Sequence, residues 1–370
     1  MNLNKPKYRL LADELREKVI QGFVEGDKLE TENEMVNRYG VSRQTVRHAL
    51  SILENEGLIN RRQGSGIYVS KQRRGTLVGQ VKDKSIVFIS TYISDYVFPS
   101  IIRGAEEVLS GAGYSLKMSQ TQNRIEWERK LLCSYLESIP TGMIIEGTQT
   151  ALPNPNIPLY RKLQSEGVPM VFVNGYYSDL DLENSVYVVT DDRQGGRDAV
   201  SYLIRLGHRN IGGIFKADDI QGHERYAGFM EGLIEGGAVL NDKQVVWFTT
   251  ESIDHSLFAN SGRLLMDRIA DCSAVVCYND QIAVRLIELF VKRSIDVPRE
   301  KAVISFDNSI YSDISSVKIT SLDHPKEELG RAAANKLISM INGKTESSLI
   351  MPFGFSEKES TLQIRRSLQT

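Results

Sequence analysis

Long apolar runs are missing from this 370-residue chain: no stretch approaches the 18 residues of a membrane-crossing helix. The opening MNLNKPKYRLL also lacks the apolar core of a secretion signal, so a soluble, cytoplasmic protein with no membrane partner is expected. Cysteine is scarce. Cys133, Cys272 and Cys277 are an odd number in apolar surroundings, which fits neither a disulfide frame nor a zinc site and predicts buried, reduced thiols. Catalytic signatures are as thin: His48, His208, His223, His255 and His324 are scattered, and HExxH, GxSxG and the P-loop are absent. No nucleophile and base are paired, so no catalytic residue, metal or cofactor is nominated, and a sugar- or nucleoside-processing enzyme is the disfavoured alternative.

What is present is ordinary globular composition, 41% hydrophobic and 25% charged, in a chain long enough for two or three domains. The charge is unevenly spread. Residues 1–74 hold 14 Lys+Arg against 10 Asp+Glu, leaving 31 against 37 for the rest. A basic head on an acidic body points to a polyanionic partner for the head alone.

In that head, YRLLADELREKVIQG carries Leu11, Leu15, Val19 and Ile20 at helical spacing and stops at Gly22. Thr31 caps a second helix, with Glu34 three residues on completing a capping box and Gly40 closing it. Ser42 then caps a third, VSRQTVRHAL, in which Val46, Ala49, Leu50 and Leu53 form one apolar face and Arg43, Gln44, Arg47 and His48 the other. Two short helices about a tight glycine turn are the sequence form of a helix-turn-helix, whose second helix enters the major groove of DNA. LINRRQGSGIYVS follows as a predicted hairpin, with Leu58 and Asn60 alternating on one side, Ile67 and Val69 on the other, and Arg61, Arg62 and Gln63 near its tip. VIQGFVEGDKL, ETENEM, VSRQTVRHAL, NEGLI and RRQGSGIYV, in this order, resemble the winged helix-turn-helix head of the GntR family of bacterial regulators. That family usually has Pro where Glu30 stands, which leaves the turn before the second helix less fixed.

From residue 85 the pattern changes. Apolar strands such as SIVFIS, MIIEG, VFVNG, VYVVT, NIGGIF, VVCYND and VISFD alternate with helical stretches, which predicts parallel, doubly wound α/β sheets in two lobes. Ligands of such sheets lie beyond the carboxyl ends of the strands. Those ends read Thr91-Tyr92, Glu146, Asn174, Asn279-Asp280 and Asp307-Asn308. Each alone also reads as a turn former or helix cap; together they suit a polyhydroxylated ligand, whose hydroxyls both donate and accept. Apolar walls are available in Tyr92, Tyr96, Phe98 or Trp247, although a core or rim role fits each as well, and His223 lies near Arg225 and can face the same ligand. His208 and His324 read as structural. Glu146 and Asp307 disfavour a phosphorylated ligand, since only Arg225 attracts one.

The segments VFPSIIRGAEEVL, VVTDDRQGGRDAVSYLIRLGHRNIGGI, ERYAGFMEGL, YNDQIAVRLIELF, VISFDNS and ITSLDHPKEELGRAAANKLISMI resemble the effector domain of the LacI family, similar in turn to periplasmic sugar-binding proteins. By that resemblance Asn174, Arg225, Asn279 and Asp307 match ligand positions, and Glu146 falls where Asn or Asp is usual. A GntR-type head on a LacI-type body resembles the arabinose repressors of Gram-positive bacteria, which makes L-arabinose the leading effector and another pentose or a hexose the alternative.

The expected organisation is therefore α/β with an N-terminal winged helix-turn-helix over residues 1–70, a linker over 71–84 and a two-lobed, periplasmic-binding-protein-like domain over 85–370. The lobes are expected at about 85–190 with 320–345, and about 191–319 with 346–370. A homodimer on a palindromic operator would read it with Arg43 and Arg47 on guanines or phosphates, Gln44 on an adenine or a phosphate and Thr45 on a thymine methyl. Gln63 and Gly64 would meet the backbone or minor groove, and Glu32 would take a cytosine amino group or orient an arginine. Sugar binding is expected to release the DNA.

Overall fold

The computed structural model describes residues 7–22, 26–55, 58–62, 66–69, 84–93, 96–180 and 185–361. Of the expected features, the linker apart from Lys84, the wing-tip residues Gln63 and Gly64, the helix exit at Glu56-Gly57 and the segment 362–370 lie outside them. The chain divides into two compact units, residues 1–80 and 81–370.

The first unit consists of α1 (Lys7–Gly22), α2 (Glu32–Tyr39), α3 (Arg43–Asn55) and an antiparallel hairpin of β1 (Ile59–Arg62) and β2 (Gly66–Val69). Leu11, Leu15 and Val19 of α1 meet Met35, Val46, Ala49, Leu50 and Leu53 in one core, closed below by Ile59, Ile67 and Val69. On β1 the buried position is Ile59, with Leu58 just before it partly buried against the same core and Asn60 exposed. The capping box forms as its chemistry requires: Glu34 N donates to Thr31 Oγ1 at 3.3 Å and Thr31 N to Glu34 Oε2 at 2.7 Å. Gly40 takes φ 62°, a left-handed conformation that costs a glycine little, so α2 stops and α3 starts within three residues. Where the GntR pattern has Pro, Glu30 instead pairs with Arg38. This exposed pair contributes little. More is supplied by the backbone, since Leu29 N donates to Ile67 O and Val69 N to Asp27 O, both at 2.8 Å, tying the connection to the wing.

The second unit is two stacked α/β lobes. The first contains β3 (Ser85–Ser90), α4 (Phe98–Gly111), β4 (Ser115–Gln120), α5 (Ile125–Glu137), β5 (Gly142–Ile145), α6 (Ile157–Ser165), β6 (Met170–Val173) and β7 (Ser185–Thr190). The chain then crosses to α7 (Asp192–Arg205), β8 (Ile211–Lys216), α8 (Ile220–Glu235), β9 (Val245–Phe248), α9 (Ala259–Arg268), β10 (Ala274–Cys277), α10 (Asp280–Lys292), β11 (Ala302–Asp307), α11 (Ile310–Ile314) and β12 (Thr320–Asp323). It returns for α12 (Lys326–Ile341) and β13 (Leu349–Met351), and crosses once more to β14 (Gly354–Ser356). The sheet orders are β13-β7-β6-β5-β3-β4 and β14-β12-β11-β10-β8-β9, parallel throughout except for β14. Central strands are buried on both faces, which is why SIVFIS and AVISFD read as continuous apolar runs.

Two lobe boundaries differ from expectation. Residues 320–323 pair with β11 and belong to the second lobe, while 349–351 pair with β7 and belong to the first. Ladder hydrogen bonding decides this, and short apolar strands next to a crossover carry no sign of which sheet they join. Each lobe is clasped by a glycine-mediated helix pair: a Cβ at Gly228 of α8 would strike Arg193 O of α7, and one at Gly330 of α12 would strike Ile101 O of α4. Cys272 and Cys277 are buried as expected, but Cys133 is exposed, because it lies on the outer face of α5.

Candidate functional sites

Ser42 starts α3 by accepting from Thr45 N at 3.2 Å, so the first two turns of the helix present Arg43, Gln44 and Arg47 outward. The side chains of Arg43 and Arg47 are 61% and 60% exposed, yet neither is unguided. Glu32, at the start of α2, accepts from Arg47 Nε at 2.9 Å and Arg43 Nε at 3.5 Å, and Arg61 Nη1 of the wing lies 3.7 Å from the same carboxylate. Partial burial works against this charge, but the hydrogen bond and field of Arg47, with help from Arg43 and Arg61, prevail and hold the Glu32 carboxyl below the usual range. Arg61 also donates through Nη2 to Arg47 O at 3.1 Å, joining wing to helix. The Thr45 hydroxyl is 2.8 Å from that of Ser42 and serves the cap, an arrangement that leaves the expected apolar contact of its methyl group unaffected. His48 stacks on Tyr8 with ring centroids 4.2 Å apart.

In the second unit a cavity of about 550 Å³ opens between the lobes, at the carboxyl ends of both sheets. Tyr92, Tyr96, Glu146 and Asn174 line it from the first lobe, and Arg225, Asn279 and Asp307 from the second. Its anchor is Arg225, 1% exposed on α8. Nε donates to Asp192 Oδ1 at 2.7 Å, Nη1 to Tyr278 O at 2.6 Å and Nη2 to Asp307 Oδ1 at 3.4 Å, while the Phe306 ring centre lies 4.4 Å from the guanidinium carbon. Burial opposes this cation, but Asp192 and Asp307 outweigh it and raise its pKa further. Asp192 feels the opposite balance: burial lifts its carboxyl to about 6 despite Arg225. The guanidinium is therefore fixed in place before any ligand arrives.

Glu146 is largely satisfied within its own lobe, accepting from Thr91 N, Thr91 Oγ1 and Ser90 Oγ at 2.7, 2.6 and 3.0 Å. Asn174 sits at φ 61°, donates to Glu146 Oε1 at 3.4 Å and keeps a buried Oδ1 with no partner. Tyr96, also left-handed, hydrogen-bonds Asp307 Oδ2 across the cavity and accepts from Asp280 N at 3.2 Å. Asn279 Oδ1 caps α10 by accepting from Ile282 N at 3.0 Å, which leaves its amide nitrogen for a ligand. Its neighbour Asp280 does not line the cavity; it accepts from Ser309 N, Ser309 Oγ and Ser321 Oγ at 2.6, 2.8 and 2.9 Å and pins the left-handed turn at Asp307 and Asn308.

Two expected members are elsewhere. His223 is exposed, its Nε2 2.9 Å from Ala217 O and its ring beside Trp247, because a residue two positions from Arg225 points to the far side of α8. Of the four candidate walls, Tyr92, Tyr96 and Phe98 line the cavity, whereas Trp247 stands 40% exposed on the edge strand β9 and packs on Phe215 and Tyr226 outside it. Lys216, Asp219 and His324 line the cavity and were missed. Lys216 follows directly on the strand read as NIGGIF, so one more residue would have found it. Burial disfavours its charge, but Asp219 and Asp218, 3.0 and 3.4 Å away, more than restore it. His324, expected to be structural, is 3% exposed with neither ring nitrogen partnered, and burial depresses it to about 4. It directly follows β12 and so obeys the same strand-end rule as the others.

The model of bacterial regulatory proteins of the gntR family matches residues 7–69, and that of the periplasmic binding protein-like domain residues 200–361. The arabinose metabolism transcriptional repressor of Halalkalibacterium halodurans is 38% identical, over 90% of this chain and 89% of its own. The chain belongs to the family of arabinose metabolism transcriptional repressors. The member from Geobacillus stearothermophilus is 37% identical over 92% of each chain. Among solved structures, the transcription regulator CcpA of Lactococcus lactis superposes with a TM-score of 0.65 at 21% identity, over 75% of this chain and 98% of that one, which shows a shared fold. As a member of this family the protein is a sugar-responsive transcriptional repressor with a GntR-type DNA-binding head, and its relatives are regulators and not enzymes. No helix among the described residues is long and apolar enough to cross a membrane.

Proposed function

We propose that this repressor takes L-arabinose into the cleft around Arg225 and, as a cytoplasmic homodimer, thereby releases a near-palindromic operator. The chain of buried groups Asp192, Arg225 and Asp307 carries the reading. Alternating fixed donors and acceptors suit a neutral polyol, each hydroxyl of which donates to one and accepts from another. The names of the relatives support arabinose. Lys216 adds a second cation to the cleft but is neutralised by Asp218 and Asp219, so a phosphorylated sugar gains little from it.

On DNA, two α3 helices would occupy successive major grooves, with Arg43 and Arg47 on guanine edges or phosphates and Gln44 on an adenine or a phosphate. Glu32 orients the two arginines, and Gln63 and Gly64 belong to the wing's backbone or minor-groove contact. Sugar binding would shift the lobes and with them the dimer packing, a coupling typically of about 1–3 kcal/mol. Fluorescence anisotropy on labelled palindromic DNA, with millimolar sugars in turn, tests this. Release by L-arabinose alone is the expected result, and DNA binding that no sugar disturbs would sink the assignment. A cleft of about 550 Å³ exceeds one pentose ring, so the panel includes hexoses.

A further inference from the structure

We infer that Asn123 is a latch between the two lobes: it sets how tightly the cleft holds its sugar by fixing lobe closure, not by binding the sugar. The inference rests on reading the cleft as the effector site. Asn123 lines the cavity and is 4% exposed, and would pass for one more ligand residue. Its hydrogen bonds argue otherwise. Nδ2 donates to Thr250 Oγ1 at 2.6 Å and to Asp218 Oδ2 at 3.2 Å, both on the opposite lobe, which uses both amide hydrogens. Oδ1 accepts from Gln149 N at 2.9 Å, and Asn123 O from Gln149 Nε2 at 3.0 Å, so the residue is braced to its own lobe as firmly as it grips the other.

Position makes this contact matter. The three crossovers between lobes, at residues 191, 324–325 and 352–353, adjoin β7, β12, β13 and β14, at one end of both sheet orders. Asn123 follows β4, and Thr250 follows β9, the strands at the other end. Rotation about the crossovers therefore moves this end furthest, and a bond here is the most sensitive to opening. The other ties lie nearer the centre or the crossovers: Ile220 N donates to Thr150 Oγ1 at 3.0 Å, Tyr96 bonds Asp307 Oδ2 and accepts from Asp280 N, and Lys326 Nζ donates to Asn308 O at 3.2 Å. Asn123 and Gln122 both hold left-handed backbone, φ 54° and 51°, a conformation that non-glycine residues seldom adopt and that aims the amide across the cleft. If closure is the binding-competent state, sugar affinity scales with the fraction closed, and the latch raises that fraction.

The test replaces the attraction across the cleft with repulsion and then restores it. In the full-length protein, spin labels on the exposed Cys133 of the first lobe and on Arg263→Cys of the second report the separation of the lobes, while buried Cys272 and Cys277 stay unlabelled. Labelled protein is diluted into unlabelled so that only distances within one chain are read. Asn123→Asp sets a carboxylate against Asp218 and is expected to lengthen the separation without sugar and to weaken L-arabinose binding about tenfold. Adding Asp218→Asn is expected to return both to near the parent values. An unchanged separation in Asn123→Asp overturns the latch whatever the sugar does. Equal opening in the single and double variants also overturns it, since Asn123 would then merely brace its own loop. If separation opens and is rescued while L-arabinose fails to bind even the parent protein, the latch stands and the choice of effector falls.

Discussion

Arginine does two different jobs in this molecule, and burial separates them. Arg43 and Arg47 on the head stand more than half exposed beside one shared carboxylate, an arrangement of loose pairs that exchange readily for phosphate or base oxygens. Arg225 in the cleft is buried, held by Asp192, Tyr278 O and Asp307, and faces aromatic rings. A polyanion is met by charges that can rearrange, a neutral polyol by a charge that cannot. The carboxylates mirror this: Glu32 is pushed down by arginines at the surface, whereas Asp192 is lifted by burial to about 6.

The hardest blow to that contrast is Arg225→Met. It leaves Asp192 buried without its partner, and a broken buried pair costs about 3–5 kcal/mol. Urea unfolding is expected to show that loss, and operator DNA should remain bound at sugar concentrations that release the parent. Retained stability would mean that Arg225 is not locked as its bonds imply.

A pH experiment sharpens the same side. His324 is depressed in the folded protein to about 4 from its ordinary 6.5, so above pH 6.5 it contributes nothing to pH dependence. As pH falls through 6.5 the unfolded chain takes the proton first, and folded stability is lost down to about 4, roughly 3 kcal/mol in all. Asp192 and Asp280, raised to about 6, act in the opposite direction, because their burial penalty is present above pH 6 and relieved by acid. The readout is therefore the difference between the parent and His324→Gln, which should grow in favour of the variant from pH 6.5 to pH 4. No difference would place His324 in contact with water or a proton acceptor.

The same contrast explains what the sequence disclosed. Strand ends at Glu146, Asn174 and Asp307 were legible because central strands buried on both faces are unbroken apolar runs. Edge strands are not: β4, SLKMSQ, is half exposed along its length, and without it Asn123 has no visible strand to follow. Nor does closeness along a helix place two side chains together, which is how His223 was misassigned beside Arg225. The capping box at Thr31 and Glu34 was readable in full, since a cap depends on four consecutive residues and not on tertiary packing.

On the head, Arg47→Ala should weaken operator binding by about 1–3 kcal/mol and flatten the logarithmic salt dependence by about one charge if it meets a phosphate. Anisotropy at several salt concentrations measures both. L-arabinose binding, by calorimetry, should be unaltered. A change there would couple the two kinds of arginine directly.

The smallest effect probes the shared carboxylate. Glu32→Gln keeps an oxygen that Arg47 can donate to but removes the negative charge that gathers Arg43, Arg47 and Arg61. Next to DNA that charge repels phosphate, so random-sequence DNA should bind a few-fold tighter, under about 1 kcal/mol, with the gain shrinking as salt screens it. Operator DNA should gain less, because arginines no longer held in register lose base geometry while keeping their attraction to the backbone. The ratio of operator to random affinity is thus expected to fall. If both affinities rise equally at every salt concentration, Glu32 is only a source of repulsion, and the surface arginines owe their aim to the helix alone.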